Sequence, residues 1–70
     1  MGMTPGEHIK SVRKSLLIRQ NAMAKKIGLN GSTLCNYESG ARAVPAGAIR
    51  KLMEAFPGKF DLQILMGMKE

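Results

Sequence analysis

One cysteine, one histidine and five acidic residues are all that this chain of 70 residues holds of the side chains most catalytic sites are built from. With Cys35 alone, no disulfide can close within the chain and no CxxC metal spacing exists. A reducing cytoplasm is the compartment that fits. His8 has no second histidine and no cysteine near it, so no metal or other cofactor is expected. The acids are scattered and no Gly-rich phosphate loop is present, which leaves enzyme chemistry without a constellation. Apolar runs such as Leu16, Leu17 and Ile18 are far too short to span a bilayer, and the first residues carry no apolar signal-peptide segment, so no membrane partner is expected. Strand alternation, internal repeats and low-complexity tracts are missing as well.

What is present is a compact helical composition. Hydrophobic residues make up 44% of the chain, as in an ordinary globular protein. A domain of this length buries only about 60% of the surface its unfolded chain exposes, enough for one modest core and not for a deep cleft besides. No small-molecule ligand is therefore expected. Eleven Lys and Arg against five Asp and Glu give a net charge of +6. Such an excess favours polyanionic partners, because neutralising phosphates releases counterions. Solubility alone also accounts for a charge of this size.

Gly and Pro divide the chain into five segments, each with a helical pattern. Thr4, Pro5 and Glu7 form a capping-box sequence for a first helix running to about Leu17, with Ile9, Val12, Leu16 and Leu17 as its apolar stripe. Gln20 to Ile27 is a second, short helix, stopped by Gly28 in the left-handed region. Asn30 caps a third helix through Ser39, with Gly40 as its stop and Leu34 and Tyr37 turned inward. Pro45 restarts a helix on which Ile49, Leu52, Met53 and Phe56 recur at i, i+3, i+4 and i+7. Pro57 and Gly58 end it, and Asp61 caps a last turn or two through Met66. The expected fold is all-α, a compact five-helix bundle with a central helix-turn-helix. The domain is expected over residues 4–67, the helix-turn-helix proper over 20–39, and residues 1–3 and 68–70 as flexible termini.

The stretch from Gln20 to Pro45 resembles the Cro/CI-type, XRE-like helix-turn-helix repressors of phages and bacteria. The shared marks are Gln20 opening the second helix, Ala24 three residues before Ile27 with Gly28 directly after it, then Ser32, Thr33 and Leu34, then Tyr37, Glu38 and Gly40, and Pro45 before the fourth helix. Ala24 is small where two helices cross, and Gly28 takes the positive φ of the turn. The resemblance implies a lambda-repressor-like bundle that binds a pseudo-palindromic double-stranded DNA operator as a homodimer in a bacterial cell. It also implies an ion pair between Arg13 and Glu38, tying the first helix to the recognition helix. Arg19 departs from the Ser or Thr usual at the cap of the second helix, and Ile64 is apolar where the family is commonly polar.

On this reading Arg19, Gln20 and Asn21 meet backbone phosphate, where a helix N-terminus adds its own attraction. Asn30, Gly31, Ser32, Thr33 and Asn36 face the groove. Asn36 is the best base reader, because an Asn amide pairs bidentately with adenine. Gly31 reads nothing itself but permits close approach. Arg42 lies past the recognition helix and meets phosphate, and the Tyr37 hydroxyl reaches phosphate from a partly buried ring. Phe60, Ile64 and Met66 are expected at the dimer contact. Lys10, Lys14, Lys25 and Lys26 are ordinary solvated cations, Cys35 an ordinary reduced thiol, and the six Met core filler. Two rivals remain: an interaction module, such as an antitoxin-like surface for a partner protein, and a restriction–modification controller or activator on the same fold.

Overall fold

A computed structural model describes residues 3–66, and these form five helices with no strand among them. Of the expected termini, 1–3 and 68–70, only residue 3 is among the described residues, and residue 67 of the expected domain lies outside them as well. The elements are α1 (Pro5–Ser15), α2 (Gln20–Lys26), α3 (Gly31–Ser39), α4 (Ala46–Ala55) and α5 (Leu62–Leu65). Each contributes a large, fully buried side chain to a single core: Ile9, Met23, Leu34, Leu52 and Leu65 respectively. Phe56 and Phe60 close one side of it, and Ala24 lies buried among these residues.

Local chemistry sets the helix ends. The Thr4 hydroxyl accepts the Glu7 N–H at 3.1 Å while the Glu7 carboxylate accepts the Thr4 N–H at 3.0 Å, so the capping box forms as the sequence predicts. At the other end of α1 the Leu17 N–H donates to the Lys14 carbonyl and the Ile18 N–H to the Arg13 carbonyl, a Schellman closure. The residue at its left-handed position is Leu17, with φ 58°, and it is 93% exposed. Leu17 therefore does not extend the apolar stripe of Ile9, Val12 and Leu16. The chain reverses there without a glycine, and the left-handed turn throws the leucine into solvent at about 1–2 kcal/mol of backbone strain. The same closure ends α2, with Gly28 (φ 75°) at the left-handed position and the Leu29 N–H on the Ala24 carbonyl at 2.8 Å.

Asp61 caps α5 by accepting the Gln63 N–H at 2.9 Å, and its own N–H donates to His8 Nε2 at 2.9 Å. The His8 ring meets Phe60 edge-on, with centroids 5.6 Å apart, and Phe60 meets Phe56 in the same way. Phe60 is thus a core residue, 7% exposed, and is not available to a partner as the sequence suggests. His8 is the acceptor that pins α5 to α1. Burial lowers its pKa below the ordinary 6.5, with the nearby Asp61 carboxylate opposing in part. The unfolded chain therefore takes up a proton at position 8 that the folded chain resists. This stability is present in full above about pH 6.5 and is lost as pH falls toward the depressed folded value. Urea midpoints measured from pH 7.5 down to about pH 5.5 should fall for the native chain and stay flatter for His8→Gln. Equal slopes for both would remove His8 from the account.

Candidate nucleic-acid interface

One face of α3 is buried and the other is open. Leu34, Tyr37 and Glu38 turn inward, while Ser32, Cys35, Asn36 and Ser39 are exposed at i, i+3, i+4 and i+7. The open face carries hydroxyls, a thiol and an amide but no charge. It is the composition of a surface that selects by hydrogen bonding rather than by Coulomb attraction.

The head of this helix is organised by Asn30. Its Oδ1 accepts three hydrogen bonds: from the Thr33 N–H at 2.8 Å, the Thr33 hydroxyl at 2.7 Å and the Ser32 hydroxyl at 2.9 Å. Both hydroxyl protons point at Asn30, which leaves the Ser32 and Thr33 oxygens as acceptors. The carbonyl side of Asn30 is used up in capping, and its NH₂ remains as the donor at the exposed edge. Gly31 is half-buried, and a Cβ at that position would run into the Asn21 Oδ1. The close approach that Gly31 permits is that of the Asn21 side chain from α2.

Beneath the face lies the ion pair. Arg13 Nε donates to Glu38 Oε2 at 2.8 Å and Nη2 to Oε1 at 3.2 Å, with the two side chains 13% and 3% exposed. The same guanidinium donates through Nη1 to the Ile18 carbonyl at 2.9 Å. Gln20 completes the cluster, its Nε2 donating to Glu38 Oε1 at 3.1 Å. The Gln20 amide nitrogen, read from sequence as a phosphate donor, is therefore engaged internally, tying the start of α2 to α3. Glu38, the one acid on α3, is neutralised where it sits.

Exposed cations lie on α1, at the cap of α2 and in the loop after α3. Arg19, at the cap position of α2, makes no capping hydrogen bond with its side chain and is exposed. Arg42 is exposed in the loop after α3, its backbone N–H on the Asn36 carbonyl at 3.2 Å. Lys10 lines a shallow depression with Gln20, Cys35 and Ser39, so α1 also brings a cation to the edge of α3. Sequence gave Lys10 no such place, since nothing local says that it lies over α3. Tyr37 is only 6% exposed, buried with Leu34 in the core. Its expected approach to phosphate is not supported by that placement.

A family model described as helix-turn-helix matches residues 9–63. Neither a search of curated proteins nor one of solved structures returned a match. The matched span runs from within α1 to within α5 and includes the whole of the face just described.

Proposed function

The chain belongs to the helix-turn-helix family of DNA-binding regulators, of the Cro/CI, XRE-like type, and we propose that it is a repressor that binds a pseudo-palindromic operator as a homodimer. The DNA-binding unit is the domain of residues 4–67, with α3 in the major groove. The observation that carries this reading is the uncharged, hydrogen-bonding face of α3, held from behind by Arg13 and Glu38, with Lys10 at its edge and Arg42 exposed in the loop that follows it. Asn36 reads a base edge from the centre of the face. Ser32 and Thr33 offer acceptors suited to base amino groups, and the Asn30 NH₂ meets an acceptor on base or backbone. Arg19, Arg42 and Lys10 meet phosphates and fix the register. The net charge of +6 steers the chain to the duplex.

A second copy of the chain is proposed on the surface between α4 and α5. Leu62 and Met66 are 47% and 55% exposed, and with Ile49 and Met53 they line an apolar groove. Ile64 is half-buried on the same short helix but does not line this groove. Phe60 drops out of this contact and Leu62 enters it. One α3 spans too few base pairs to find a site alone, so pairing of two copies supplies the missing length.

The test separates base reading from phosphate contact. Asn36→Ala should relax preference at one base pair of each half-site while leaving the salt dependence nearly intact. Arg42→Ala should weaken all duplexes alike and lower the salt slope by about 1. Binding of each variant to a panel of single-base operator variants at two salt concentrations checks both. Full base preference in Asn36→Ala would contradict the placement of α3 in the groove.

A further inference from the structure

The first turn of α3 begins with a residue that has no side chain. Position 31 is the first residue of the helix, ahead of Ser32 on the exposed side, and it is glycine. The space is not empty. An added Cβ would collide with the Asn21 Oδ1 and lie 3.1 Å from the Asn21 Cγ. Asn21 is the second residue of α2, exposed, and its amide stands where a side chain from position 31 would begin. The backbone of α2 is fixed relative to α3 by the Gly28 turn and by the hydrogen bond of Gln20 to Glu38. The packing of the two helices thus holds the Asn21 backbone beside the head of α3, its Cα 4.0 Å from where a Cβ on Gly31 would stand.

We propose that Asn21 is a base-reading residue, delivered from α2 into the place that Gly31 leaves open, so that the duplex meets the Asn21 amide beside those of Asn30 and Asn36. This rests on the reading of α3 as the groove-facing helix. An Asn amide carries an acceptor and two donors on one small group, and its bidentate match in the major groove is adenine. Gly31 is a specificity determinant through its missing Cβ: any side chain there displaces the Asn21 amide from the head of α3. The half-site should accordingly contain two separately read adenines, one under Asn21 and one under Asn36.

The experiment uses the full chain and the selected operator with every single-base substitution. Asn21→Ala should reduce discrimination about tenfold at one base pair of each half-site, a different pair from the one lost in Asn36→Ala. Gly31→Ala keeps the fold, because Ala is the better helix former and only the end of a flexible side chain must move. It should lose discrimination at the same base pair as Asn21→Ala, and the double variant should lose no more than either single one. A uniform loss across all duplexes in Asn21→Ala would make it a phosphate contact and overturn the proposal. Retention of the native preference in Gly31→Ala would overturn it too. In either case Asn36→Ala, read on the same panel, shows whether the groove placement of α3 stands. If Asn36→Ala also leaves every preference unchanged, the placement itself has failed, and the proposal fails with it.

Discussion

Arg13→Ala should lower the unfolding free energy by about 3 kcal/mol, while Lys14→Ala, one residue along the same helix, should stay within about 0.5 kcal/mol of the native chain. The asymmetry follows from what each side chain touches. Arg13 satisfies both oxygens of a carboxylate that is 3% exposed, and the Ile18 carbonyl besides. Its removal leaves Glu38 in the interior with the Gln20 amide as its one remaining side-chain donor. The net worth of the intact pair is small, since desolvation offsets attraction, but a stranded partner carries the full penalty. Lys14 is exposed and its loss removes a solvated cation. In a domain of this size the Arg13 effect corresponds to a fall in Tm on the order of 15 °C. Urea denaturation of the two variants side by side checks this, and comparable losses would contradict the buried-pair account.

Gly6→Ala should destabilise the fold by about 2–3 kcal/mol, although a glycine-to-alanine change inside a helix ordinarily stabilises by about 0.5–1 kcal/mol. Gly6 is buried in the first turn of α1, against the C-terminal end of α3. A Cβ there would collide with the Tyr37 carbonyl oxygen and lie 2.8 Å from that of Glu38. Both are backbone atoms, so relief requires α1 to move off α3. That movement disturbs Arg13 and Glu38 as well. Gly47→Ala is the control: Gly47 is exposed on α4, with nothing within 4 Å of the added Cβ, and the change should stabilise. Opposite signs for the two substitutions are the expected result, and a stabilising Gly6→Ala would show that α1 does not approach α3 so closely.

Much of this fold is legible in the sequence, because its signals are local. Thr4 with Glu7, Asn30 with its own first turn, and Gly28 and Gly40 at left-handed positions act over a few residues, and each does what its pattern predicts. The ion pair is legible only through the family resemblance, since nothing near Arg13 in the chain points to Glu38. Features set by distant packing were not legible. Gly6 looks like a weak helix former until α3 is laid across it. His8 looks like an idle histidine until the Asp61 N–H arrives from the far end of the chain. Phe60 sits in a short, polar-flanked segment and reads as surface, yet the His8 and Phe56 rings enclose it. Leu17 fits an apolar stripe on paper, but the reversal into α2 takes it out of the helix.

The candidate site divides along the same line. Exposure of Ser32 and Asn36 follows from helical spacing once Leu34 and Tyr37 are placed inward. The division of donors and acceptors around Asn30 does not, because it depends on which way two hydroxyls turn. Gln20 could equally have faced out, and only the position of Glu38 draws its amide inward. The relation of Asn21 to Gly31 is invisible in sequence, since it arises from two helices meeting at one crossing.

The most direct measurement is selection of bound sites from a random duplex pool by the full chain at moderate salt. A two-fold-related consensus is predicted, with half-site centres about one helical turn, roughly 34 Å, apart. Its occupancy should fall steeply as salt is raised. A single unrepeated half-site would contradict the dimer, and a bound pool no different in sequence from the starting pool would contradict sequence-specific DNA binding itself.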